Sequence, residues 1–179
     1  MNDISATRLW LMRAAFPALA MLIVFFHLLP LDTIPRGWAG PELLLGFACA
    51  WSLRRPEYVP ALSLAVAFFL TDLLLQRPPG LLAALALIGC ENLKSRGRNL
   101  RDGSFAMEWF TVSVIIVAVL IGNRIILAIA LVDVPQLTLA VSELGMTLLS
   151  YPLVVATTHW VMQVRKSAPG DLDAMGQRV

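Results

Sequence analysis

Six apolar stretches run along the chain, and nearly all of its positive charge falls in alternate gaps between them. A chain with that pattern has few folds open to it. Each stretch must be removed from water, and the charge alternation sets a direction for each crossing, because Lys and Arg are retained on one side of a membrane. With 58% hydrophobic and only 15% charged residues in 179, one small soluble core could not hide this much apolar surface. The sequence therefore predicts an all-α, polytopic membrane protein.

Spanning about 30 Å of hydrocarbon takes roughly 20 helical residues, fewer where the bilayer thins. The predicted spans are Leu9–Leu29, Pro41–Leu53, Ala61–Leu75, Leu81–Leu93, Phe105–Leu131 and Gln136–Gln163. Pro17 marks a kink in the first, and Pro41 suits the opening position of the second, where a missing N–H costs nothing. Arg54–Pro60 reads as a short charged loop, Gln76–Gly80 as a tight break, and Lys94–Gly103 as a basic loop. The first apolar run is too long for a signal-peptide core, so it is expected to stay as the first helix. Residues 1–166 form the predicted membrane domain, and 167–179, which lack periodicity, a cytoplasmic tail.

In this six-span threading Arg8, Arg13, Arg54, Arg55, Lys94, Arg96, Arg98, Arg101, Arg165, Lys166 and Arg178 share one side. Only Arg36 and Arg77 lie opposite, and Arg124 falls within a span. Both termini are thus expected in the cytoplasm. Trp10, Trp38, Trp51, Trp109 and Trp160 each fall near a predicted span end, where an indole can bury its ring and wet its N–H.

Ionisable groups inside spans are costly and each needs a reason. Glu42, after Pro41, is placed to favour the positive end of a helix dipole. Arg124 and Glu143 lie equally far from the turn near Asp133–Val134, so both would sit about 14 Å below the ends of their helices. At equal depth they could neutralise one another and fix packing, or form a ligand site. Asp72 is expected near the depth of Glu42, either sharing an outward cation with it or standing as a helix-end acid. His27 and His159 lie at opposite sides and cannot share a metal. Asn123, Thr157 and Thr158 suit interhelical hydrogen bonds. Cys49 and Cys90 fall in spans without metal or disulfide spacing and read as small buried hydrophobes.

No nucleophile elbow, zinc-binding His pair, phosphate loop or carboxylate pair with a supporting base is present, so no enzyme, metal or cofactor is expected, and no nucleic-acid partner. Lys94–Arg101 could meet anionic lipid or an acidic partner, although orientation already accounts for it.

The most specific block is Pro41–Leu93. It holds Pro41-Glu42-Leu43-Leu44-Leu45, then Arg54-Arg55-Pro56-Glu57-Tyr58-Val59-Pro60, then Thr71-Asp72 followed by Gln76-Arg77-Pro78-Pro79-Gly80. This block resembles the rod shape-determining membrane protein family MreD, in its alphaproteobacterial form. The family pattern has a Pro-plus-polar start to an early helix, a basic Arg-Pro turn and an Asp shortly before a glycine break. By length and span count the resemblance extends over Leu9–Lys166. It implies a non-enzymatic inner-membrane component of the cell-elongation machinery. Its partners would be the single-span protein MreC and, in one complex, the filament protein MreB, the glycosyltransferase RodA and a class B penicillin-binding protein. The family also looks like the six-helix S components of energy-coupling-factor vitamin transporters, an architectural likeness that need not carry transport.

Two expectations follow. The first is an interaction scaffold, with candidate contacts at Arg54, Arg55 and Glu57 and at Asp72 and Arg77. The second is a small-solute binding or transport protein, for which Glu42, Asp72, Arg124 and Glu143 would have to line an outward pocket.

Overall fold

The computed structural model describes residues 6–29, 38–100, 104–132 and 136–160, with side chains described up to residue 97 in the second of these segments. The expected tail lies outside them. Described residues form α1 (Ala6–Leu28), α2 (Leu43–Arg54), a 3-10 turn (Pro56–Tyr58), α3 (Ala61–Leu74), α4 (Leu81–Leu100), α5 (Phe105–Ile129) and α6 (Leu137–Trp160).

Three helices, α1, α5 and α6, are long and apolar enough to cross a membrane. At 23, 25 and 24 residues they measure about 34–38 Å. Their lipid-facing side chains include Phe25 and Phe26 on α1, Phe110 and Ile125 on α5, and Leu149 and Leu153 on α6, all exposed. Exposed apolar surface on this scale has no soluble explanation. The chain is a membrane protein.

The remaining helices differ from expectation. With 12 and 14 residues, α2 and α3 extend only about 18 and 21 Å, short of a bilayer core. Ten of the 12 residues of α2 are buried, and it packs against α1, α4, α5 and α6. A helix apolar on all sides belongs in the middle of a bundle, and α2 is that middle. Gly46, Ala48 and Ala50 keep its surface small; a Cβ on Gly46 would lie 3.5 Å from Val154 of α6. Close approach of small residues is what holds helices together in lipid, where burial alone gives little. Among the described glycines the closest approach is between α4 and α5, where a Cβ on Gly89 would stand 2.9 Å from Ile115 Cγ2.

Three sequence expectations are corrected. Pro41 is not the first helical residue, because Glu42 precedes the first turn of α2 as its N-cap. Residues 94–100 are not a loop, because α4 continues to Leu100; Leu93 is buried and Gly97 lies against the carbonyl of Leu53. Hydropathy marks where a helix leaves lipid, not where it ends. Trp51 is not an interfacial indole: it is fully buried, with Phe16 and Tyr58 rings 5.9 and 6.4 Å away. Trp10, Trp38, Trp109 and Trp160 are exposed, and the Trp109 indole N–H donates to the Leu148 carbonyl of α6 at 3.2 Å.

Helix ends are closed by the backbone itself. After α3, the N–H groups of Gln76 and Arg77 bond the carbonyls of Leu73 and Asp72; after α5, those of Leu131 and Val132 bond Ala128 and Leu127. Both are paired 5→2 and 6→1 closures that need a left-handed residue. Gln76 and Leu131 supply it at φ 55° without being glycine.

Candidate functional site

The charged and polar side chains of the bundle gather at the two ends of α2. At its N-terminal end, the segment before α2 runs down beside α6: the Ala39 N–H donates to Ser142 Oγ (3.0 Å) and the Glu42 N–H to Thr147 Oγ1 (2.9 Å). Thr147 stands ten positions after the start of α6, so this end of α2 is recessed by about 15 Å. The Thr147 hydroxyl donates in turn to the Glu143 carbonyl, 2.6 Å away.

Glu42 is 6% exposed, and its Oε2 accepts from Arg77 Nη1 at 3.0 Å. Arg77 comes from the turn between α3 and α4. Burial opposes its charge, but Glu42, and behind it Glu143 and Asp72, hold its pKa above the usual arginine value. Glu143 on α6 lies within electrostatic reach of both Glu42 and Arg77. The structure thus brings three of the sequence candidates, Glu42, Arg77 and Glu143, into one cluster. Arg124 lies half-buried on α5.

Asp72, fully buried, has a separate task. Gly80 precedes α4 and has no side chain to cap it. Asp72 Oδ2 caps it from across the turn, accepting the Gly80 N–H (3.0 Å) and the Ala83 N–H (3.3 Å). A carboxylate there also faces the positive end of the α4 dipole. Asp72 therefore holds α3 and α4 together.

At the C-terminal end of α2, Arg54 Nε donates to Glu108 Oε1 at 2.8 Å, with side-chain exposures of 8% and 1%. The Tyr151 hydroxyl donates to the same oxygen at 3.2 Å. Three helices, α2, α5 and α6, meet in this pair. Arg54 points into the bundle, so as a partner contact it is already occupied. Glu108 is the functional residue that sequence reasoning missed. A signal existed: Arg54 and Glu108 fall at the same predicted membrane edge, and matching depths at that edge would have paired them.

The adjoining 3-10 turn is pinned from three directions. Arg55 Nη1 meets Glu57 Oε1 at 3.4 Å. Arg13 Nε from α1 donates to the Glu57 carbonyl at 3.0 Å, and Lys94 Nζ from α4 to the Val59 carbonyl at 2.7 Å. Tyr58 and Val59 are buried beneath.

Among the described residues, no three His, Cys, Asp or Glu side chains converge to hold a metal. Cys49 and Cys90 are buried thiols. A groove of about 370 Å³ between α3 and α4 is lined by Ala65, Val66, Phe69, Leu70, Gly80, Ala83, Ala84 and Leu87. A second, of about 460 Å³, lies between Trp38 and α6. Both are apolar, and neither includes the charged clusters. No family model, curated protein or solved structure matches the chain.

Proposed function

We propose that the chain is a non-enzymatic membrane scaffold of the MreD type, with six helices crossing a bacterial inner membrane and both termini in the cytoplasm. Its role would be to assemble the cell-elongation machinery through an MreC-like single-span partner. The observation that carries this reading is the closure of α2: an ion pair seals each end, Glu42–Arg77 and Arg54–Glu108, and the residues between are packed. Such a bundle is a rigid surface rather than a container. The Arg-Pro turn and the Asp72–Gly80 break, which carry the family resemblance, prove to be packing joints, a role suited to a scaffold whose shape is its function. In this reading the short α2 and α3 cross a locally thinned bilayer or continue through flanking chain.

The test is purification from native membranes in mild detergent with identification of stoichiometric companions. Recovery of a single-span protein with a periplasmic domain supports the proposal. Recovery with an ATPase pair or a bound small molecule instead supports transport of a solute by an S-component-like protein. The second reading draws on one observation: the Glu42–Arg77–Glu143 cluster is recessed well below the end of α6.

A further inference from the structure

The 3-10 turn at Pro56–Tyr58 gathers cations from two neighbouring helices. Arg13 reaches it from α1 and Lys94 from α4, and their partners in the turn are main-chain carbonyls, of Glu57 and Val59. A carbonyl fixes an ammonium or guanidinium in place without cancelling its charge. Lys94 also pairs with the half-exposed Glu91 carboxylate at 2.7 Å, a contact that a lipid phosphate would share. Arg54 is neutralised by Glu108 within the bundle. Arg8 and Arg96 lie exposed on α1 and α4 toward the same end.

Beside these held charges lies lipid-facing apolar surface. The Arg13 guanidinium carbon stands 5.5 Å from the centre of the Trp10 ring. Trp10 is 67% exposed and Leu11 61%. Leu62, at the start of α3 just beyond the turn, is exposed as well. A fixed cation, an exposed indole and exposed leucines form an amphiphilic surface. A soluble anion would use only the first of the three. An anionic lipid would use all of them, with its phosphate against Arg13 and Lys94 and its apolar part against the exposed aromatic and aliphatic surface.

We propose that Trp10, Arg13 and Lys94, arranged around the Pro56–Tyr58 turn, form a binding site for the phosphate of an anionic membrane phospholipid. The site stands whether the chain acts as scaffold or transporter, since its side chains, Trp10, Arg13 and Lys94, are neither candidate contacts of the scaffold nor pocket residues of the transporter, and only the main chain of Glu57 is shared.

The experiment is native mass spectrometry of the full chain released from micelles holding equal mole fractions of phosphatidylglycerol and phosphatidylcholine. The wild-type chain is expected to retain phosphatidylglycerol at least fivefold over phosphatidylcholine. The R13Q/K94Q variant should lose most of that preference. The R8Q/R96Q variant, which removes the same charge from exposed positions, should keep it. No preference in the wild-type chain, which needs no variant to fold, would overturn the proposal. Equal losses in the two variants would reduce it to diffuse attraction and also overturn it. Displacement of the lipid by millimolar inorganic phosphate would show a free-anion site rather than a lipid site, and count against it. Circular dichroism on each variant separates loss of the site from loss of the helices.

Discussion

Removing one member of the Arg54–Glu108 pair should destabilise the bundle far more than removing both. The two side chains are 8% and 1% exposed, so solvent screens neither, and Arg54→Met alone removes this ion pair from a buried carboxylate while the Tyr151 hydroxyl stays on Oε1. Breaking a buried pair from one side costs about 3–5 kcal/mol. Arg54→Met keeps most of the aliphatic stem, so lost packing adds about 1 kcal/mol or less. In the double variant, Arg54→Met with Glu108→Gln, no charge remains uncompensated, and the glutamine oxygen still accepts from Tyr151. Its cost should fall to about 1 kcal/mol, because a neutral, well-packed substitute for a buried pair is often tolerated. The mutant cycle should therefore give a coupling of about 3 kcal/mol. Equilibrium unfolding in mixed micelles, titrating the denaturing detergent and following helicity, measures all four proteins. Additive single costs, or an Arg54→Met cost below about 1 kcal/mol, would refute the claim that this pair seals the end of α2.

The equivalent change at the other end should be milder: Arg77 is 30% exposed, so Arg77→Gln should cost only about 1–2 kcal/mol after solvent screening, read in the same unfolding assay. Asp72→Leu removes the cap from two N–H groups of α4 and should cost about 2–3 kcal/mol, whereas Asp72→Asn, which keeps an acceptor oxygen, should cost about 1 kcal/mol. Gly89→Ala drives a methyl against Ile115 and Val119 and should destabilise by about 1–3 kcal/mol; Gly145→Ala, which meets nothing within 4 Å, should be neutral or stabilise by up to about 1 kcal/mol. Leu131→Gly relieves a left-handed residue at φ 55° and should stabilise by about 1 kcal/mol, visible as a higher midpoint.

How much was legible depends on which solvent each residue meets. Helix positions could be read because lipid demands long apolar runs: α3 was expected over Ala61–Leu75 and runs Ala61–Leu74, and α5 over Phe105–Leu131 and runs Phe105–Ile129. The last stretch of α4 was not legible, since Lys94–Leu100 lies beyond the apolar run and it is packing such as Gly97 against Leu53 that reveals the helix persists. Nor was the central place of α2, because an apolar run reads alike whether lipid or protein surrounds it. Glu42 and Asp72 were recognised as costly and Arg77 as an outer-side cation, yet their division of labour was not. A sequence gives the depth of a charge but not the direction of its side chain, so Asp72 reads as a cation ligand or as a helix-end acid, and the structure shows it capping the start of the following helix. Glu108 escaped notice because one acid in a first helical turn looks like an ordinary dipole partner.

The seating of α2 also has a consequence for the order in which the protein can be built. Everything that closes its two ends is synthesised later than α2: Arg77 in the α3–α4 turn, Glu108 on α5, and Thr147 and Tyr151 on α6. When α2 leaves the ribosome it is a 12-residue segment with a bare carboxylate before it and a bare guanidinium at its end, too short and too charged to rest alone in hydrocarbon. The two ends of α2 can therefore be closed only once α6 has been made, so a lesion in α5 or α6 reaches a segment made long before.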